Sequence, residues 1–299
     1  MTELMQRWTL AMRSGCFEEA WTLSEQALAL RDPAKRDDPA LPYHLRWVWD
    51  GRPFEGRDVL VRCYHGLGDT FQFARYLPLL AERAASVALE VHPRLIPLFQ
   101  DMRGLKRIIP FDPAHPAPPS ECDIEICELA FALRMAPQAA PPPYLSALPA
   151  ALPQGTIGLC YAAGEWDPAR SIPPALLAPL CRDRTCLTLV AEPTTLPVLN
   201  PAGCPFDIAA TASLVASCAL VITVDTMVAH LAGALGRPTW LLLKDEPDWR
   251  WTPGARDTPW YPAMRLFHQP RPGAWEPVLR EIERVLPGTE INLSRSIRR

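Results

Sequence analysis

This 299-residue chain lacks the features of several protein classes. No apolar stretch approaches the roughly 20 residues of a membrane span. Its formal net charge is -3, so it has no basic excess that would favour nucleic acid or an anionic membrane. Met1–Ser14 interleaves acidic and basic residues and lacks the apolar core of a signal peptide. We therefore expect a cytoplasmic, bacterial-type protein that binds no nucleic acid.

Motifs of several enzyme classes are also missing. The absence of a Walker sequence, of G-x-G-x-x-G and of G-x-S-x-G disfavours phosphoryl transfer, a dehydrogenase and an esterase. No D-x-D pattern offers a metal clamp for a diphosphate, and neither Cys122-x4-Cys127 nor Cys181-x4-Cys186 has the spacing of a zinc site. We expect nine reduced cysteines, no metal and no cofactor.

Proline is unusually frequent, at 35 residues against 15 glycines, and it stiffens the connecting loops. The proline-rich segment around Ala136–Pro153 separates two stretches in which short strands alternate with helices, the pattern of a parallel α/β domain. The predicted domains are a helical hairpin over residues 1–33, a connector over 34–57, α/β domains over 58–150 and 151–270, and a C-terminal helix and tail over 271–299.

The N-terminal segment predicts two helices, Glu3–Ser14 and Phe17–Leu30, joined by a tight turn at Gly15. The second helix is similar to the second half of a tetratricopeptide repeat, although any amphipathic hairpin fits equally well. A single repeat cannot bury its own apolar face, so the hairpin must dock on the body or on another subunit. Self-association or a protein partner at this hairpin is one expectation.

In the first α/β domain, a buried strand at Val59–Tyr64 leads into a glycine loop and a long helix from Thr70 to about Ala84. The further elements predicted there are a strand at Val87–Val91, a helix at Leu95–Phe99 and strands at Lys106–Ile109 and Asp123–Cys127. Those predicted in the second domain are strands at Thr156–Tyr161 and Cys186–Val190 and helices at Pro173–Leu180, Ala212–Cys218 and Trp275–Leu286.

One stretch of the second domain predicts a ligand site. Leu220–Val224 is a β-branched apolar run typical of a buried strand, and Asp225 and Thr226 follow where a helix N-cap belongs. Met227–Leu235 then predicts a short helix, and Thr239–Leu243 another strand. A helix N-terminus at the carboxyl end of a parallel sheet attracts anions, so we expect nucleotide phosphates here.

Three separated stretches resemble glycosyltransferase family 9, the heptosyltransferase-like group, and especially its tetratricopeptide-linked bacterial relatives. They are Gly66–Asp69 before a helix, Asp167–Pro173, and Asp225–Pro238. Pro247–Trp251 and Pro259–Phe267 also resemble the linked relatives. The resemblance implies a GT-B fold, with two Rossmann-like domains facing a cleft. It also implies metal-independent, inverting transfer of a sugar from a nucleotide-sugar donor to a glycan or protein acceptor.

The glycine loop holds the candidate catalytic base, Asp69. An inverting transfer needs a carboxylate to take the proton of the attacking hydroxyl, and the family position matches Asp69. The competing interpretation is that Asp69 only caps the helix that follows. Gly66 and Gly68 allow the backbone to approach a substrate closely, and His65 beside them is a weaker candidate contact.

The donor candidates are cationic or lie at the predicted helix N-terminus. The resemblance places the donor pyrophosphate against Asp225, Thr226 and Met227, with His230 one turn further on. Arg170 would stabilise the charge of the departing nucleoside diphosphate. The simpler alternatives are a packed histidine for His230 and a surface ion pair for Arg170.

An aromatic segment follows the donor motif. Trp249 and Arg250 are candidate substrate contacts, since aromatic faces stack on a base or a sugar. The same segment, with Trp251, Trp260 and Tyr261, is equally interpreted as a hydrophobic seam between domains.

Two other functions compete with a glycosyltransferase. A non-catalytic transferase fold could serve protein interaction through the hairpin, but such a scaffold would not need Asp69, Arg170 and Asp225 together. A sugar-nucleotide epimerase shares the two-domain fold, but it would need further carboxylates and histidines that the sequence does not place.

Overall fold

The computed structural model describes residues 2–286, and by their contacts these divide into two compact units. Of the described residues, the first unit contains 2–146, Asp248–Thr252 and Pro259–Pro262. The second contains Ala147–Pro247, Pro253–Thr258 and 263–286. The predicted second domain, residues 151–270, therefore included two short aromatic segments that belong to the first unit. The predicted tail beyond Leu286 lies outside the described residues.

The N-terminal hairpin has the predicted form. Helices α1 (Glu3–Arg13) and α2 (Phe17–Ala29) are joined at Gly15, whose φ of +71° is one that side chains with a Cβ rarely adopt. The Thr2 side chain accepts a hydrogen bond from the Met5 N–H and so caps α1.

The hairpin docks on the first unit. The Trp8 ring lies 5.0 Å from the Trp249 ring, and Phe17 lies 6.1 Å from Trp260, both edge to face. The Thr252 hydroxyl also donates to the carbonyl of Arg13. Of the two predicted alternatives, docking on the body is therefore observed. The likeness to a tetratricopeptide repeat and the self-association stay predictions.

The first unit contains a four-stranded sheet in which all strands are parallel. Its strands are β1 (Asp58–Arg62), β2 (Ser86–Val91), β3 (Leu105–Pro110) and β4 (Cys122–Glu125), in the order β3-β2-β1-β4. The central strand β1 is buried from Val59 to Arg62 because its β-branched and leucine side chains pack on both faces. The predicted strand Asp123–Cys127 was too long, since the Glu125 side chain caps a 3₁₀ turn that starts at Ile126.

The helix predicted over residues 70–84 differs in both its start and its continuity. Helix α3 (Leu67–Phe73) begins three residues earlier, and a 3₁₀ turn over Ala74–Tyr76 separates it from α4 (Leu77–Ala81). Pro78 has no N–H to bond the preceding turn, which explains the interruption. Two short helices complete the unit, α5 (Ile96–Phe99) and α6 (Leu129–Leu133).

The second unit contains a five-stranded parallel sheet. Its strands are β5 (Ile157–Cys160), β6 (Cys186–Thr188), β7 (Leu220–Val224), β8 (Thr239–Leu243) and β9 (Met264–His268), in the order β6-β5-β7-β8-β9. Four strands were predicted and β9 was missed, because its five residues follow a proline-rich loop and show no strict alternation.

Four helices accompany the second sheet. They are α7 (Ala178–Cys181), α8 (Ile208–Ser217), α9 (Met227–Ala234) and α10 (Trp275–Val285). The prediction for α8 began four residues too late, because the Asp207 carboxylate caps the helix by accepting from the Ala209 and Ala210 N–H groups. The helix predicted from Pro173 starts instead as a 3₁₀ turn over Pro174–Leu177.

Two global expectations can be compared with the structure. No helix within residues 2–286 is both long and apolar enough to cross a membrane. All nine cysteines are free thiols, as expected, and most of them are buried.

Candidate active site

The predicted donor segment of the second unit folds as expected. Strand β7 ends at Val224, the Thr226 hydroxyl accepts from the Val228 N–H at 3.3 Å, and Met227 is the first residue of α9. Because β7 is flanked by β5 and β8, this N-terminus lies at the carboxyl edge of the sheet. Ligands of open α/β sheets bind at this edge.

Arg170 reaches the same edge. Its side chain is buried, and its Nη1 donates to the main-chain carbonyl of Asp225 at 2.5 Å. The guanidinium also lies 4.0 Å from the ring of Trp166, whose side chain is 78% exposed, and 3.5 Å from the Asp167 carboxylate. A fixed cation is thus brought against the start of α9, as the motif pattern predicted.

His230 and Lys244 complete the charged surroundings of this edge. His230 is buried in α9, and its Nε2 lies 4.0 Å from Asp225 Oδ1. Lys244, which the sequence analysis missed, forms a 2.9 Å ion pair with Asp167. Its position directly after β8, the neighbour of β7, was the available signal. Arg170 and Lys244 share the Asp167 carboxylate, so one positive charge of this group stays uncompensated beside the helix N-terminus, an arrangement that favours an anion.

Asp69 is the third residue of α3, on the first unit. Its Oδ2 accepts from the Gly66 N–H at 3.0 Å, so it does cap the helix, as the competing interpretation held. A Cβ at Gly66 would lie 3.1 Å from that oxygen, so a larger residue there would require the Asp69 carboxylate to shift slightly. Gly68 lies within the first turn of α3. Capping occupies one oxygen and leaves Asp69 Oδ1 for a second contact.

Arg250 makes that second contact. Its Nη2 forms an ion pair with Asp69 Oδ1, its Nη1 lies 2.8 Å from Asp248 Oδ1, and its Nε donates to the side-chain oxygen of Gln72. Burial disfavours the charged guanidinium, but the two carboxylates outweigh burial and raise the pKa of Arg250 above its ordinary value. Gln72 was missed, although its spacing of three residues from Asp69 places both on one face of α3.

His65 precedes the glycine loop and contacts a buried carboxylate. Its Nδ1 lies 2.9 Å from Glu125 Oε1. Burial lowers the pKa of His65, but the Glu125 carboxylate more than offsets this, so the pKa is raised above its ordinary value. Cys127 lies beside them, and within residues 2–286 these three form the compact group whose donor atoms all lie within 4.8 Å.

The aromatic segment is packed inside the first unit. Trp249 lies between Trp8 and Trp260, at 5.0 and 6.0 Å between ring centroids. Trp251, Trp260 and Tyr261 are each at most 1% exposed. This geometry favours a packed hydrophobic seam over a stacking surface. The seam was predicted between domains, but it lies within the first unit, where it holds the hairpin.

Comparison with known protein families gives a match in the second unit. Residues 199–258, which contain β7 and α9, match the model of glycosyltransferase family 9 (heptosyltransferase). The predicted resemblance to glycosyltransferase family 9 is confirmed. The match covers the predicted donor motif and supports the prediction of a glycosyltransferase.

Solved structures of this family share the fold. A family 9 glycosyltransferase from Veillonella parvula aligns with a TM-score of 0.52 at 10% identity, over 79% of this chain and 92% of that one. The iron-containing dodecameric glycosyltransferase TibC of E. coli aligns at 0.51 with 12% identity, over 75% and 66%. The α/β fold with two parallel sheets is thus that of the family 9 enzymes, the GT-B type.

Protein FlbA of Caulobacter vibrioides is similar to this chain in sequence. The two are 24% identical over 331 aligned residues, which cover 94% of this chain. The chain spans about half, 54%, of that protein's length.

Proposed function

We propose that this protein is a metal-independent, inverting glycosyltransferase that moves a sugar from a nucleotide-sugar donor to a glycan or protein acceptor. The observation that carries the proposal is the buried Arg170 guanidinium on the Asp225 carbonyl, at the start of α9 and inside a family 9 donor motif.

The donor diphosphate binds the second unit. The N-terminus of α9, at Thr226 and Met227, takes one phosphate, and Arg170 takes the other with parallel hydrogen bonds. His230 positions the Asp225 loop through its 4.0 Å contact with the Asp225 carboxylate. These residues neutralise the diphosphate without a metal ion, in keeping with the absence of D-x-D from the sequence.

The acceptor hydroxyl is deprotonated by Asp69 on the first unit. As the hydroxyl oxygen bonds to the anomeric carbon, its proton passes to Asp69, and the bond to the diphosphate oxygen breaks on the opposite face of the sugar. The electron pair of that bond leaves with the nucleoside diphosphate, whose charge Arg170 stabilises. Arg250 holds the Asp69 carboxylate in position through its ion pair with Asp69 Oδ1.

Release of nucleoside diphosphate tests this proposal. Purified protein is incubated in EDTA with ADP-, UDP- and GDP-sugars, with and without cell-derived glycans or proteins, and the released diphosphate is measured. We expect one donor class to react and the enzyme to stay active in EDTA. The NMR spectrum of the product should show an inverted anomeric configuration. Loss of activity in EDTA, or a retained configuration, would contradict the mechanism.

The rival function, a non-catalytic interaction module, gives a different result in the same assay. A module would release no diphosphate from any donor, and substitution of Asp69 or Arg170 would leave its partner binding unchanged.

A further inference from the structure

We propose that His65, Glu125 and Cys127 form a binding site for a divalent transition metal of the zinc type. An imidazole nitrogen, a carboxylate oxygen and a thiol sulfur are the three ligand types that zinc takes in proteins. Their donor atoms lie within 4.8 Å of one another, on the first unit and next to the glycine loop. The site is distinct from the donor diphosphate residues, which lie on the second unit.

The distance between His65 and Glu125 is compatible with both side chains binding one metal ion. His65 Nδ1 is buried and makes no hydrogen bond among the described residues, although Glu125 Oε1 is only 2.9 Å away. The two atoms are therefore close without the alignment of a hydrogen bond. Two ligand atoms of one tetrahedral zinc ion, each about 2.1 Å from it, are about 3.4 Å apart, so the His65 and Glu125 atoms would separate by about half an ångström to bind the ion.

The surroundings hold the carboxylate in place. Glu125 Oε1 accepts from the Tyr64 N–H at 3.2 Å, and Oε2 accepts from the Cys127 N–H at 2.6 Å. Each carboxylate oxygen has two lone pairs, so both bonds leave capacity for a metal. Such contacts fix the orientation of metal ligands. The His65 side chain is 34% exposed, which gives an ion a path from solvent.

Metal binding replaces the thiol proton. The Cys127 S–H bond breaks, a sulfur–metal bond forms, and the proton goes to solvent. Three protein ligands leave a fourth position for water, as in open zinc sites. A bound ion would tie the loop at His65 to the turn after β4.

Cobalt and zinc titrations of the full chain, freed of metal with EDTA, test the site. We expect one Co²⁺ per chain with a thiolate-to-cobalt charge-transfer band, and displacement of that ion by Zn²⁺. His65→Gln and Cys127→Ser should each weaken zinc binding by at least about tenfold in folded protein. The matched controls are Cys16→Ser and His115→Gln, which remove an exposed thiol and an exposed imidazole outside the group.

Absence of the charge-transfer band in the wild type, or wild-type zinc affinity in either ligand variant, would overturn the proposal. The readout uses no sugar donor. It can therefore fail while the transferase proposal stands, and it can succeed in a protein that transfers no sugar.

Discussion

The carboxylate of Asp69 and the guanidinium of Arg250 form an ion pair across 181 residues of the chain. Asp69 is the third residue of helix α3, and Arg250 lies in the aromatic segment that holds the hairpin. The pair therefore joins the proposed base to the seam. We propose that Arg250 positions Asp69, and its contact with substrate stays a prediction.

Removal of Arg250 should destabilise the fold. Arg250→Ala leaves Asp69 and Asp248, whose side chains are 25% and 33% exposed, without their shared cation, so we expect the free energy of unfolding to fall by about 1 to 3 kcal/mol in a urea titration. The control is Arg83→Ala, whose ion pair with Glu55 is exposed, with an expected loss below about 1 kcal/mol. Equal losses in the two variants would show that the Asp69–Arg250 pair contributes little.

Asp69→Asn should remove most of the catalysis. An amide cannot accept the hydroxyl proton, so we expect kcat to fall by about 10²- to 10⁴-fold. The dissociation constant of the donor should stay within about twofold, because the donor binds the other unit. Asp248→Asn is the matched control, since it removes the other carboxylate on Arg250. If both variants lose the same activity, Asp69 acts only through the ion pair.

The hairpin should depend on its buried aromatic side chains. Trp21 is 3% exposed and its ring lies 6.5 Å from Phe131, so Trp21→Ala should lower the free energy of unfolding by about 3 to 5 kcal/mol. Trp166→Ala, at a 78% exposed position, should change it by no more than about 0.5 kcal/mol. A Trp21 variant as stable as the Trp166 variant would mean that the hairpin is not part of the folded body.

Stability should fall in mild acid because of His268. Its Nε2 lies 2.9 Å from the Ala255 carbonyl and its Nδ1 is buried without a partner among the described residues, and burial lowers the pKa of His268 below its ordinary value. The unfolded chain therefore binds a proton first. The free energy of unfolding then decreases as pH falls below the unfolded pKa, until the folded protein is protonated too.

Urea titrations between pH 8 and pH 5 measure this loss. His268→Gln removes the titrating group, so its free energy of unfolding should decline less over the same range. A variant with the same decline as the wild type would assign the acid sensitivity to other groups.

The sequence predicted the parallel sheets well for a physical reason. Short β-branched runs such as β7 have few alternatives to a strand buried on both faces. The same pattern located the capped helix of the proposed donor site, because a helix after such a strand must begin at the sheet edge. The prediction failed where a proline or a side-chain cap determines where an element begins or ends. Examples are Pro78 within the expected long helix and Glu125 at the end of β4.

The contacts of Asp69 were beyond prediction. The i to i+3 spacing shows that Asp69 can cap its own helix, but nothing local indicates a cation 181 residues later. Likewise, the sequence shows an aromatic group at Trp249 and its neighbours. Only the burial of these side chains in the structure distinguishes a packed seam from a stacking surface. Long-range partners follow from the fold and not from the local pattern.

The most direct test of the account is calorimetric binding of ADP, UDP and GDP in EDTA. We predict that one of them binds the wild type, and that Arg170→Ala binds it about 10- to 100-fold more weakly, because a charged hydrogen-bond donor is lost. Arg256→Ala, which removes a 66% exposed cation of the same unit, should bind as the wild type does. Folded wild-type protein that binds none of the three, or Arg170→Ala with wild-type affinity, would contradict the proposed donor site.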